Sequence, residues 1–420
     1  MRNLLAGRMT PKKIVIALIA GLTAFMMLSG AVFAAGTGGS GGAPTIVEVP
    51  DRKIILEGSP ATFKDVPIAA GGRTLLPLRE LVTALGVPND DDHIMYRRVS
   101  DKEQYVTVIY GDTKIELIIG KEEAYVNGKK LELDVAPVIY KNRTYIPLRF
   151  VAEALGKKVA WVGETNTVLI VDQKNYDAVR EIIVKSNEAS NKVTKNRMKM
   201  ELTGDITVGT MKTTMGISVD TAVDKKSKAM YIGMVFDFLG FNIEQEGYYK
   251  DNVYYAPDIL TGTWKKKTYT PEEYDRIFET NSDSVRMEDD EKLLACLTIA
   301  ESENEDELVL VGNTNFMDIF SGAYMQQAGS LGLDESGMQP EWYSMKFVFD
   351  KDTYLLKTLS MEMYGETEED GVRTTIDMRL TAEYSDYNGD FEIVVPEEAI
   401  KNAVEDDSID LETTGITYSL

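Results

Sequence analysis

The tightest constraint on the fold is a sentence that the chain writes twice. RTLLPLRELVTALG begins at Arg73, and RTYIPLRFVAEALG begins at Arg143, seventy residues later. In each copy a short β-like run (Thr74-Leu75-Leu76; Thr144-Tyr145-Ile146) meets a proline, Pro77 or Pro147. Proline suits the first position of a helix, where its missing N–H has no partner in any case. Leu78, Leu81, Val82 and Leu85 then fall at i, i+3, i+4 and i+7, and Leu148, Val151, Ala152 and Leu155 repeat that apolar stripe. Gly86 and Gly156 follow, where a helix ends at positive φ. Each copy predicts a strand, a short amphipathic helix and a glycine stop, with Leu85 and Leu155 both buried.

Between the copies, YVTVIYGDTKIELIIG and KEEAYVNGKKLEL alternate apolar and polar residues, with Gly111-Asp112 and Asn127-Gly128 as turn signals. VAWVGETNTVLIV after the second copy reads as another hairpin. The segment is α+β: antiparallel strands with two short helices. GGRTLLPLRELVTALG, the run from Gly111 to Lys129, LDVAP at 133–137 and NRTYIPLRFVAEALGKKVAW at 142–161 together resemble the copper amine oxidase N-terminal domain family, also called the stalk domain. The resemblance covers 46–172 and implies a small module found on bacterial secreted and surface proteins. It does not imply amine oxidation. That chemistry resides in a separate domain with a tyrosine-derived quinone and three histidine ligands, and this chain has one histidine, His93. No copper or other cofactor is expected.

Charge divides the chain. With 45 Lys+Arg against 68 Asp+Glu the formal net charge is −23, which repels nucleic acid phosphates and anionic lipid surfaces. Residues 46–172 hold 17 basic and 19 acidic residues, whereas 173–420 hold 24 and 49. Methionine divides with it: Met95 alone in the first segment, fourteen in the second. Two domains, 46–172 and 173–400, followed by an acidic tail at 401–420, account for both divisions. Before them, Arg2, Arg8, Lys12 and Lys13 precede an apolar run at 14–34, the pattern of a signal peptide cleaved after Ala34. An uncleaved run would instead anchor the chain in a membrane. AGTGGSGGAPT at 35–45 is a flexible linker. The single cysteine, Cys296, forms no intrachain disulfide and sits in apolar KLLACLTIA, as a buried small hydrophobe does. A secreted or surface protein of a Gram-positive envelope is the expected address.

The second segment opens with a helical stretch at Tyr176 and continues as strand-like runs, two helices (around 271–279 and 315–328) and more strands. That order, with YYKDNVYYA, FDKDTYLLKTLSMEM and YSDYNGDFEIVVPEEA, resembles lipoprotein-carrier-like (LolA/LppX-like) domains and an uncharacterised family of that fold often joined to stalk domains. The resemblance covers most of 176–400. It implies a curved antiparallel half-barrel closed by helices, which in better-known members carries a lipid or other hydrophobic ligand. It transfers no individual binding residue.

Catalytic motifs are missing from the sequence: no P-loop, G-x-S-x-G, H-E-x-x-H or C-x-x-C occurs. The acidic runs NDDD (89–92), EDDE (288–291), ESENEDE (301–307) and ETEEDG (366–371) read as solvated loops, and DYNGD (386–390) as a turn rather than a calcium loop. Two other patterns stand out. Arg79 and Arg149 occupy the same place in both copies of PLR, near a helix start whose dipole they oppose. They are either structural or the contact to an anionic wall polymer or envelope partner. Met361/Met363 and Met230, Ile232, Met234, Phe236, Phe238 alternate at i, i+2, which puts each set on one face of a strand. Met230, Met234, Phe236, Met361 and Met363 are therefore the expected lining of a site for a hydrophobic ligand, with a plain core as the alternative. The reading is a non-catalytic envelope protein, a stalk module plus a ligand-binding or sensing domain. A structural or adhesive wall protein with no small ligand is the second reading, and a carboxylate-dependent hydrolase the third.

Overall fold

The structure is a computed structural model, and it describes residues 45–100, 103–163, 165–238, 241–278, 290–312, 339–369 and 371–409. The N-terminal apolar run, nearly all of the linker, the expected helix around 315–328 and the end of the acidic tail lie outside the described residues. Those described form two compact units. One comprises the chain up to Val179 with Glu291–Cys296, the other Arg180–Asp290 and Leu297 onward.

The first unit contains β1 (Val47–Glu48), β2 (Lys53–Leu56), β3 (Ser59–Pro60), β4 (Ile68–Ala70), β5 (Arg73–Pro77), α1 (Leu78–Ala84), β6 (Ile94–Ser100), β7 (Glu103–Tyr110), β8 (Thr113–Ile118), β9 (Glu123–Val126) and β10 (Lys129–Glu132). It continues with β11 (Val138–Tyr140), β12 (Arg143–Pro147), α2 (Leu148–Ala154), β13 (Lys157–Val162), β14 (Thr167–Asp172) and the start of α3 (Gln173–Ser190). The sheets run β1-β4-β5-β12-β11, β10-β9-β8-β7-β6 and β13-β14-β2-β3.

The doubled sentence pairs with itself. β5 and β12 are antiparallel with Leu76 opposite Ile146, and these are the same position in the two copies. Leu75 meets Pro147 and Pro77 meets Tyr145 on either side. The surface pairs are reciprocal: Arg73 Nε lies 2.7 Å from Asp134, and Arg143 Nε 3.1 Å from Asp65. Each copy's leading arginine thus reaches the aspartate that precedes the other copy. Both pairs are exposed and contribute little energy; they mark the symmetry. Leu78, Leu81, Val82, Leu148, Val151 and Ala152 bury the two stripes in one core with Val106, Val108, Ile115 and Leu117. Leu85 is buried in that core, but Leu155 is only partly buried against it. Both leucines are cap residues just past the helix ends, where the next glycine turns the chain at φ +99° and +79°.

The second unit is built on one curved sheet, antiparallel except at its last strand, a half-barrel. Its elements are β15 (Lys195–Val208), β16 (Met211–Asp224), β17 (Ala229–Phe238), β18 (Phe241–Lys250), β19 (Val253–Pro257), β20 (Trp264–Thr268) and α4 (Pro271–Phe278). After α5 (Glu291–Ala295) come β21 (Leu297–Ala300), β22 (Glu307–Gly312), β23 (Gln339–Asp350), β24 (Leu356–Glu369), β25 (Val372–Ser385), α6 (Glu397–Asn402) and β26 (Val404–Glu405). The order is β21-β22-β23-β24-β25-β15-β16-β17-β18-β19-β20-β26, and β26 runs parallel to β20.

The DYNGD stretch is the expected turn, and it has a structural use. Asn388 Oδ1 accepts from the Thr194 N–H at 2.8 Å, which clasps the start of β15. α5 belongs to the first unit, far from it in sequence. Leu293, Leu294, Ala295 and Cys296 are all buried, and Glu291 pairs with Lys158 of β13 at 2.8 Å. Cys296 is the buried small side chain its apolar surroundings imply.

Candidate functional site

Side chains alternate between the two faces of a strand, and directly paired residues share a face. The register of the large sheet therefore assigns its faces. One row runs Leu359, Ala382, Met200, Val219, Met234 across β24, β25, β15, β16 and β17. The next runs Met361, Leu380, Leu202, Ile217, Phe236, and the next begins Met363, Met378, Gly204, Met215. Met230 lies on the same face beside Val223 and Tyr249. All five predicted ligand-lining residues are thus on one apolar face. Met230 and Met234 are buried there, while Phe236, Met361 and Met363 are half-buried.

The face changes character along the strands. At the β15 start it is closed over by aromatic packing. Tyr249 stacks on Tyr254 with ring centroids 4.5 Å apart, and Tyr274 of α4 sits 6.3 Å from Tyr249. Tyr274 is fully buried and donates to the Lys228 carbonyl at 2.7 Å. α4 starts on a capping box: the Thr270 N–H donates to Glu273, and the Glu273 N–H to the Thr270 hydroxyl. Gly247 makes this closure feasible, because a Cβ there would lie 2.6 Å from the Tyr254 ring.

At the opposite end the β15–β16, β17–β18 and β24–β25 hairpins turn. Val208, Met211, Ile243, Phe241 and Val372 project there, on the same face by register, and all five are exposed, Met211 by 72% and Phe241 by 73%. A mainly apolar face, interrupted by Asn196, Thr221 and Gln245, therefore runs from a buried end to an exposed rim.

The other face is polar. Lys199, Asp220, Gly233 and Glu246 form one row, and Glu201, Ser218, Val235 and Glu244 the next. A shallow groove of about 590 Å³ lies mainly over these residues and Tyr231, whose ring covers Gly233. Of the five predicted residues Met234 borders this groove; Met230, Phe236, Met361 and Met363 do not. Tyr248 donates to Glu246 at 2.9 Å, and burial first, then that carboxylate, push its phenol up. Beyond this row Phe391 and Ile393 pack on Ala222, Tyr231 and Tyr248.

The two arginines differ. Arg79 Nη2 donates to Asp91 Oδ1 at 2.7 Å and to the Ile94 carbonyl at 3.3 Å, and Nη1 to Asn89 Oδ1 at 3.2 Å. It fastens the NDDD loop to β6. Arg149 is exposed and makes no hydrogen bond or ion pair among the described residues; Glu153, one turn on, feels its charge. His93 Nδ1 lies 2.7 Å from Asp90. The described residues contain no group of three metal-ligating side chains, and none of their helices is long and apolar enough to cross a membrane.

Alternation on β16 and β25 could have added Met215, Ile217, Val219, Met378 and Leu380 to the predicted face. Their alignment with Met234 and Met361 needed the cross-strand register.

Residues 55–170 match the family model of the copper amine oxidase N-terminal domain. Residues 178–404, more than half of the chain, match that of a family of unknown function, DUF6612. The chain belongs to this family. No curated protein matches the DUF6612 chain. Among solved structures it is similar to the Mycobacterium tuberculosis lipoprotein LppX, at 12% identity over 52% of this chain and 99% of that one, with a TM-score of 0.28. LprF from Mycobacterium bovis gives 11%, 52%, 97% and 0.28. A DUF1329 family protein from Desulfovibrio piger gives 10%, 52%, 95% and 0.19.

Proposed function

We propose that the DUF6612 domain is a non-catalytic binder of a hydrophobic molecule, exported to the cell envelope and spaced or attached there by its copper amine oxidase N-terminal-like module. The observation that carries this reading is the apolar face that runs, row by row, from Met230 and Met234 to the exposed rim at Met211 and Phe241. A filled core would have no reason to continue onto exposed hairpin tips, which cost solubility. A binding face needs such an entrance. Methionine suits it, because a flexible thioether adapts to ligands of irregular shape. The basic and apolar N-terminal segments support export, and the acidic surface keeps the protein off anionic membranes. Arg149, exposed on the attachment module, is the candidate contact for an anionic wall polymer; Arg79 would have to leave its loop partners to join it.

The experiment is extraction of the protein purified from its own cells into organic solvent, followed by mass spectrometry. A co-purifying hydrophobic molecule is expected. Met234→Trp fills the space in the central row and should remove that molecule while leaving the circular dichroism spectrum unchanged. Extracts of wild type no richer than those of an unrelated exported protein would leave the structural wall-protein reading in its place.

A further inference from the structure

Thr221 is a polar residue on the apolar face, which Asn196 and Gln245 also join by register. It is 3% exposed, and its hydroxyl makes no hydrogen bond among the described residues. Its partners in the row are Met198 of β15 and Ile232 of β17. Val219 and Val223 flank it on its own strand, and its diagonal neighbours, at roughly 7–8 Å, are Met200 and the buried Asn196 on β15 and Met230 and Met234 on β17. Buried hydroxyls are nearly always hydrogen-bonded, and an orphan is costly.

On the reading of this face as a ligand site, we propose that the ligand is an uncharged amphiphile whose hydroxyl or carbonyl oxygen hydrogen-bonds Thr221 Oγ1. Its hydrocarbon part lies along Met234 and Phe236 toward the rim. Charge is excluded by the rows themselves. An ionised head beside Thr221 would lose its water with no counter-ion, because Lys199 and Asp220 project from the opposite face. A pure hydrocarbon would leave the hydroxyl as unsatisfied as it is now. An alcohol, ester or amide satisfies it at the cost of one hydrogen bond to water.

The test measures binding of 1-dodecanol and n-dodecane to the intact chain by titration calorimetry, in wild type, Thr221→Val and Thr221→Ser. Thr221→Val should weaken 1-dodecanol about tenfold, the scale of one buried hydrogen bond, and leave n-dodecane unchanged. Thr221→Ser should keep the wild-type preference. The thermal midpoint of Thr221→Val should be equal or higher, because the substitution removes an unsatisfied hydroxyl, so misfolding will not mimic the effect. Equal changes for both probes, or none, overturn the role of Thr221 while leaving the apolar site standing. Failure of both probes to bind wild type overturns the site and this assignment together.

Discussion

Leu85 and Leu155 carry the same letter at the same place in the repeat, yet they are not equivalent residues in the fold. Leu85 is buried and Leu155 only half-buried against the same core. Leu85→Ala should therefore cost about 2–4 kcal/mol through lost transfer energy and a cavity, and Leu155→Ala about half that. Urea unfolding of the two variants measures the difference; equal losses would mean that the repeat environments are the same after all. Arg79 shows the same limit of the sequence. Its position in PLR was plain, but the loop that neutralises it is brought back by the start of β6, which no local pattern encodes. The chemistry of a residue was legible, and its partner was not.

Short elements depend on what they pack against. α5 has five residues, too few to be stable alone, and it persists because its apolar side chains complete the core of the first unit. Leu294→Ala should accordingly destabilise that unit by about 2–5 kcal/mol, although Leu294 lies more than a hundred residues beyond its other strands. Hydrogen exchange resolved by segment, in the intact chain, should show faster exchange at β13 and β14. Loss of protection confined to residues 297–312 would contradict this.

The C-terminal edge has its own dependence on pH. Lys265 at 2.8 Å, then Ser408, hold the Asp406 carboxyl down to about 2. The folded value lies below the ordinary unfolded value of about 3.9, so the contribution is complete above that pH and is lost as pH falls through about 2. The Asp406 N–H, which donates to the Lys266 carbonyl at 2.9 Å, should progressively lose protection relative to its intrinsic exchange rate as pH falls across that window. Asp406→Asn should remove the acid-dependent part of the change.

For the whole molecule, the N-terminal segments predict a mature chain that begins near Ala35 outside the cytoplasmic membrane. N-terminal sequencing of the exported protein checks this, and an intact Met1 in a membrane fraction would favour an anchor. The exposed rim makes a second prediction at this scale. If the proposed binding face takes up its ligand at this rim, Phe241→Asp should slow uptake of a hydrophobic probe several-fold by placing charge there, with little change in stability, because Phe241 is exposed. Stopped-flow fluorescence would read it, and an unchanged uptake rate would contradict entry at this rim.

Periodicity, turn residues and composition by themselves determined the strand–helix–glycine units, the alternating methionines and the change of character after the first module. These are local: they depend on a residue and its near neighbours in the chain, which the sequence states directly. Only the tertiary structure decided that the two copies meet at Leu76 and Ile146, that Glu291–Cys296 joins the first unit, and that Met234, Met361 and Thr221 share one face. Each of these is a register or a docking across tens to hundreds of residues. A one-residue slip in any pairing would turn the same side chains to the opposite face. Alternation is blind to which strand lies alongside, so the face became visible only once the strands were paired.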